Sequence, residues 1–235
     1  MELDPPQETV SGPPPSVGGP PPTPVETGAA FISALRDVGL LGDLNDGLLN
    51  ALLERLPPTH DEDVRRTELM RLYYVEAPSD GGVARRTKDR LLLHDAESGD
   101  SAREIVRRLV ECSPEVGALS LERIGTDDGP LVLRTRSDTF SAVLEADDDD
   151  LDTGQIDLSE LDASPTVAVQ ALVRAVNILL DREDVRERFV LLCCDGRREC
   201  YVRVSLADAL ALCTAGHLAS DEDEAVLDLG AWGRS

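Results

Sequence analysis

Short apolar runs and amphipathic segments follow one another in a clear order between residues 83 and 218, and this order limits the fold more than any other feature. The order is helix, two or three strands, helix, two strands and helix. The segment 166–184, "TVAVQALVRAVNILLDRED", is apolar over almost its whole helical surface, which predicts a central position. Because strands come in groups separated by single helices, the sequence predicts an α+β sandwich of the order helix–strands–helix–hairpin–helix.

Composition divides the chain into four parts. Residues 1–28 are rich in proline and glycine and carry no basic side chain, which predicts a disordered or polyproline II tail. Residues 29–78 show apolar side chains at helical spacing and predict a small helical subdomain. A linker rich in proline and glycine leads to the α+β domain at 83–218. Residues 219–235 form an acidic C-terminal tail.

Capping residues mark the ends of several predicted helices. Asp100 or Ser101 is suited to begin the helix "SAREIVRRLVEC", and Ser205 is suited to begin the last helix. Pro165 follows a serine and fits the first position of the central helix. Gly216 fits the C-terminal end of the last helix, because glycine readily adopts the left-handed conformation found there.

The element order of roughly residues 95–220, together with the acidity of the chain, resembles the YbjN and type III secretion chaperone-like fold. That resemblance implies a small non-enzymatic protein that uses a sheet face and a helix to hold partner polypeptides. It also implies that the protein can form a homodimer.

Charge excludes some classes of partner. The 235 residues include 46 acidic and 23 basic side chains, for a net charge of −23. Such a surface repels phosphate backbones and favours basic protein partners, so we expect no nucleic-acid binding. No apolar run approaches the roughly 20 residues that span a bilayer, so we expect no membrane insertion. Five cysteines without an export signal predict a reducing, cytoplasmic location.

The stretch "CCDGRREC" predicts a hairpin whose two strands are flanked by cysteines. A two-residue turn at Gly196-Arg197 would pair Cys193 with Cys200. A three-residue loop would instead pair Cys194 with Cys200. The register of the hairpin therefore decides which thiols are neighbours.

A zinc site is one interpretation of these cysteines. The spacing Cys194-x5-Cys200-x12-Cys213-x3-His217 resembles a ββα zinc finger with cysteine in place of one histidine. On one helix Cys213 and His217 would lie on the same face, as tetrahedral zinc requires. The first spacer is one residue longer than usual, and Gly216 indicates that the helix ends before His217. Buried reduced thiols are therefore favoured, and zinc or a redox pair remains as an alternative.

Two further segments are candidate sites. The acidic run at 147–162 resembles a calcium-binding EF-hand loop from Asp149 to Glu160, but Leu151 stands where an oxygen ligand is needed. A solvated acidic loop is therefore favoured there. At the C-terminus Leu227, Leu229 and Trp232 follow an acidic run and form a candidate docking motif, because indole is frequent at interfaces.

The sequence contains no recognisable catalytic motif. The pattern of a phosphate-binding loop is missing, as is that of a nucleophile elbow. His60 and His94 are expected at the surface, without a partnered nucleophile. We therefore expect a non-catalytic adaptor or chaperone-like protein that needs no cofactor, with the zinc domain as the alternative function.

Overall fold

The chain folds into a mixed α+β structure, which confirms the predicted fold class. The computed structural model describes residues 24–42, 44–76, 88–117, 119–123, 131–135, 142–143 and 165–218. The helices are α1 (Pro24–Asp37), α2 (Asp46–Leu53), α3 (Glu62–Glu76), α4 (Ala102–Cys112), α5 (Pro165–Arg182) and α6 (Leu206–Thr214). The strands are β1 (Leu91–Asp95), β2 (Leu119–Arg123), β3 (Leu131–Thr135), β4 (Ala142–Val143), β5 (Glu187–Cys194) and β6 (Arg198–Ser205).

The strands of the described ranges form two antiparallel sheets, with strand orders β1-β6-β5 and β2-β3-β4. In the first sheet β5 and β6 form the predicted hairpin, whose turn is closed by Asp195. The Asp195 carboxylate accepts hydrogen bonds from the backbone N–H groups of Arg197 and Arg198, at 3.1 and 2.6 Å. Gly196 has a φ of 81°, a left-handed conformation that a tight hairpin turn requires. The turn therefore fixes the register of the strand ends beside it, as far as Cys193 and Cys200, and a β-bulge between Leu191 and Cys193 shifts the register beyond them.

Both faces of the β1-β6-β5 sheet are covered by helices. On one face Val190 and Val202 join a cluster with apolar side chains of α1, α2, α3 and α6. On the other face Phe189 and Tyr201 pack with α4 and α5. Because side chains alternate along a strand, β5 and β6 each supply alternate residues to both clusters. The central strands are consequently buried on both faces.

The N-terminal helices pack on the sheet. Phe31 of α1 and Tyr73 of α3 are fully buried in the same cluster as Leu91 and Val202. The predicted boundary between a helical part at 29–78 and an α+β part from 83 lies near residues that the structure does not describe. A shared hydrophobic core joins the described residues on its two sides.

Several helices begin or end at the capping residues that the sequence predicts. The side chains of Ser101 and Ser205 accept hydrogen bonds from backbone N–H groups at the starts of α4 and α6. Gly216, with a φ of 71°, follows the end of α6. Helix α1 begins at Pro24, inside the range predicted as a tail, since proline is favoured in the first turn of a helix. Residues 1–23 and 219–235 lie outside the described part of the chain.

Candidate functional site

The hairpin register brings two thiols together in the core. Cys193 lies directly opposite Cys200, as the two-residue turn predicts. Both side chains are buried, and both are free thiols. The side-chain hydrogen bond between Cys200 and Cys193 and the burial of the site together raise the pKa of Cys200 well above its ordinary value. Two free thiols therefore lie side by side in this part of the core, and the raised pKa keeps the Cys200 thiol neutral.

The four proposed zinc ligands are distributed over both faces of the sheet. Cys194 lies opposite Glu199. Glu199 is the residue next to Cys200 in β6, and neighbouring residues of a strand point to opposite faces of the sheet. Cys194 and Cys200 therefore lie on different faces. Cys213 packs on the cluster that contains Cys200. His217 lies beyond the end of α6, and its ring contacts the Phe31 ring at 5.4 Å.

This arrangement separates Cys194 from the other three candidate ligands. Within the described residues, no group of three or more His, Cys, Asp or Glu side chains is placed to hold a metal ion. The zinc site remains a prediction without a supporting contact. One equivalent of zinc in untagged protein, lost in Cys200→Ser, would establish it.

The remaining predicted sites have different outcomes. His60 is exposed, as expected. The expectation for His94 is wrong, because alternation along β1 turns its ring inward and leaves it only 2% exposed. The C-terminal motif of Leu227, Leu229 and Trp232 lies outside the described residues, as does the acidic loop from Asp149 to Glu160.

A buried polar cluster that the sequence analysis missed lies on the sheet face covered by α4 and α5. Glu199 is 2% exposed, and its carboxylate accepts hydrogen bonds from the Tyr201 hydroxyl at 2.7 Å and from the Gln170 amide at 3.5 Å. Burial raises the pKa of Glu199. The sequence "RECYVRVS" contains a signal for this cluster, because polar side chains stand at every second position, at Glu199, Tyr201 and Arg203. Because both faces of β6 are buried, the polar groups of this row must find their hydrogen-bond partners inside the protein.

Glu199→Gln tests the cost of this buried carboxylate. Because burial raises the folded-state pKa of Glu199, the carboxyl group is neutral and its burial costs no charge desolvation at a pH below its unfolded-state pKa. The free energy of unfolding decreases as the pH rises through the folded-state pKa, because the buried group is then ionised. Glutamine keeps an acceptor for Tyr201 without the charge. We expect the variant to have a higher Tm than the wild type at pH 8, and the difference to disappear near pH 4.

Thermal unfolding monitored by circular dichroism across this pH range makes the measurement. Glu104→Gln is the matched control, because the Glu104 side chain is 45% exposed and Arg107 lowers its pKa through a hydrogen bond. That control should lower Tm slightly at pH 8 or leave it unchanged. A Tm difference for Glu199→Gln that is the same at pH 4 and pH 8 would rule out the buried charge as its cause.

The outward side of α6 is apolar, which is unusual for a helix on a surface. Ala207, Leu210 and Ala211 are exposed and lie at i, i+3 and i+4, so they form one continuous face, here named the α6 patch. Leu210 is 45% exposed, whereas Ala209 and Leu212 on the inner side are buried in the core. The α6 patch is thus a small apolar surface formed by one leucine and two alanines.

Comparison with known proteins does not add a relative. No family model, curated protein or solved structure matches this chain. No helix in the described ranges is long and apolar enough to cross a membrane.

Proposed function

We propose that the protein is a non-catalytic adaptor or chaperone-like module that holds an apolar segment of a partner polypeptide against the α6 patch. The supporting observation is the exposed apolar side of α6, above all Leu210. Burial of apolar area on both partners would drive the association. The two alanines let a partner helix or strand approach the α6 backbone closely, and Leu210 supplies the central contact.

Charge then selects among partners. At a net charge of −23, the protein attracts segments with basic flanks and repels a second copy of itself. A basic polypeptide is therefore favoured over a homodimer as the occupant of the α6 patch. Because exposed charges are screened by salt, binding should weaken as the salt concentration rises.

The free thiols of Cys193 and Cys200, opposite each other on β5 and β6, are compatible with a reducing compartment such as the cytoplasm.

Leu210→Glu should abolish partner binding without unfolding the protein. The substitution places a charge at the centre of the α6 patch, so we expect at least a tenfold loss of affinity, or about 1.4 kcal/mol. The free energy of unfolding should change by no more than about 0.5 kcal/mol, since the side chain is exposed. A photo-crosslinking residue at position 210, in cells that make the protein, identifies the partner by mass spectrometry.

Val75→Glu is the matched control, because Val75 is an apolar residue that is 62% exposed on a different helix, α3. It should leave the crosslinked partner and its affinity unchanged. The proposal fails if positions 75 and 210 capture the same proteins, or if Leu210→Glu binds the identified partner as tightly as the wild type. Crosslinks from position 210 only to a second copy of the chain would show a homodimer instead.

A further inference from the structure

The two buried thiols of the β5-β6 hairpin are placed as a disulfide requires. Cys193 and Cys200 are direct cross-strand partners, and a side-chain hydrogen bond joins them. Both side chains belong to the cluster with α1, α2, α3 and α6, so they point to the same face of the sheet. Opposite Cα atoms in an antiparallel pair are about 4.5–5.5 Å apart, and those of disulfide-bonded cysteines about 4.4–6.8 Å. The strand pairing therefore already provides the separation that a disulfide needs.

The other three cysteines, which also lie in the described part of the chain, have different surroundings. Cys112 is buried in the cluster on the opposite face, where its thiol donates a hydrogen bond to the Leu91 carbonyl at 3.8 Å. Cys194 is partly exposed, and its Sγ accepts a hydrogen bond from the Gly196 N–H at 3.3 Å. Cys213 is partly exposed on α6. The register of the described strands thus places one pair of cysteines opposite each other.

The end of the hairpin is where an oxidant can reach this pair. Strand β5 lies at the edge of the described β1-β6-β5 sheet, and the bulge between Leu191 and Cys193 interrupts its ladder. The hydrogen bond with Cys193 and burial raise the pKa of Cys200, so little of the attacking thiolate exists while the hairpin is closed. Local opening of the strand end exposes both thiols without unfolding the rest of the core.

We propose that Cys193 and Cys200 are a modification site, at which a low-molecular-weight disulfide such as oxidised glutathione forms a reversible cross-strand disulfide. The thiolate of one cysteine attacks a sulfur of the small disulfide, whose S–S bond breaks and releases one small thiol. The thiolate of the other cysteine then attacks the protein sulfur of the mixed disulfide and releases the second small thiol. The two cysteines lose two electrons and two protons in total, and the small disulfide gains them. This site goes beyond the proposed function, because it exists whether or not the α6 patch binds a partner.

Oxidation of the full chain in buffers of reduced and oxidised glutathione tests the site. Free thiols are then alkylated, and trypsin cleaves after Arg197 and Arg198, which separates the peptide 189–197 from the peptide 199–203. We expect mass spectrometry to find these two peptides joined by a disulfide, with a loss of about 2 Da for the two hydrogen atoms. Excess reduced glutathione should restore both thiols. Glutathione adducts on Cys194 or Cys213 without a link between the two peptides would overturn the proposal.

Cys194→Ala is the matched control, because Cys194 lies in the same tryptic peptide but points to the other face of the sheet. We expect this variant to form the link to the same extent as the wild type, since Cys193 is then the only cysteine of its peptide. Loss of the link in Cys194→Ala would overturn the pairing. Cys193→Ala should not form the link. If that variant does not fold, Cys194→Ala decides the pairing alone.

The equilibrium constant with glutathione shows whether the fold itself favours the bond. We expect the constant for the link to be at least tenfold larger in the native protein than in about 6 M urea, because the strand pairing gives the two thiols a high effective concentration. The equilibrium is approached from both the reduced and the oxidised protein. Equal constants in the native and the unfolded chain would overturn the proposal, since the hairpin register would then contribute nothing to the bond.

Discussion

Phe31→Ala should lower the free energy of unfolding by about 3–5 kcal/mol, which corresponds to a fall in Tm of roughly 6–20 °C. The Phe31 ring is fully buried in the cluster between α1, α3 and the sheet. It also contacts the His217 ring at 5.4 Å and lies under the Arg66 guanidinium at 5.7 Å. Alanine removes all these contacts and leaves a cavity. Urea unfolding monitored by circular dichroism gives the free energy.

The same variant tests whether the N-terminal helices unfold together with the sheet. Because Phe31 and Val202 belong to one cluster, we expect hydrogen-exchange protection in β6 to fall together with protection in α3. Ser33→Ala is the control, because Ser33 is an exposed residue of the same helix, and it should change stability by no more than about 0.5 kcal/mol. Full protection of β6 in Phe31→Ala, with α3 unprotected, would show that the helical part unfolds independently.

Arg203→Met is expected to cost about 2–3 kcal/mol. Arg203 is 5% exposed, and its guanidinium joins three parts of the fold. It donates a hydrogen bond to the Cys112 carbonyl at the end of α4, and two to the Glu115 carboxylate, all at 2.8 Å. It also lies 2.9 Å from Glu187 of β5. Methionine fills a similar volume but removes the donor of the Cys112 carbonyl and the Glu115 carboxylate, whereas Glu187 keeps its ion pair with Arg90 at 3.1 Å. Thermal or urea unfolding measures the loss.

Arg107→Met is the matched control, because Arg107 also pairs with two glutamates, Glu104 and Glu111, but on the exposed side of α4. It should cost less than about 1 kcal/mol, as solvent and salt screen exposed pairs. The hydrogen bond from Arg203 lowers the pKa of Glu115, so this pair stabilises the fold above the unfolded-state pKa. The stability difference between Arg203→Met and wild type should therefore shrink as the pH falls through the folded-state pKa. Equal losses for both variants at neutral pH would contradict the structural role of Arg203.

Local features of the fold could be predicted from the sequence because they depend on neighbours along the chain. The turn residues Asp195 and Gly196 determine the hairpin, and with it the pairing of Cys193 with Cys200. The serine caps at Ser101 and Ser205 likewise act within four residues. Such interactions need no knowledge of the rest of the molecule.

The candidate sites could be predicted only in part, since they depend on which face of the sheet each residue occupies. Cys194 and Cys200 appear close in sequence, yet they point to opposite faces. His94 is polar and near a strand end, yet the packing of α4 over its face buries it. The apolar exposed side of α6 was also missed, because a helix rich in alanine and leucine looks buried on all sides in sequence.

By itself, the sequence determined the α+β fold class, the serine caps of α4 and α6, the pairing of Cys193 with Cys200 and the acidity of the chain, because periodicity, capping and charge are properties of short segments. The tertiary structure alone decided that helices cover both faces of the sheet, that Leu210 remains exposed and that His94 and Glu199 are buried. Those outcomes depend on contacts between residues far apart in the chain, such as Phe31 with His217, and no local pattern encodes them.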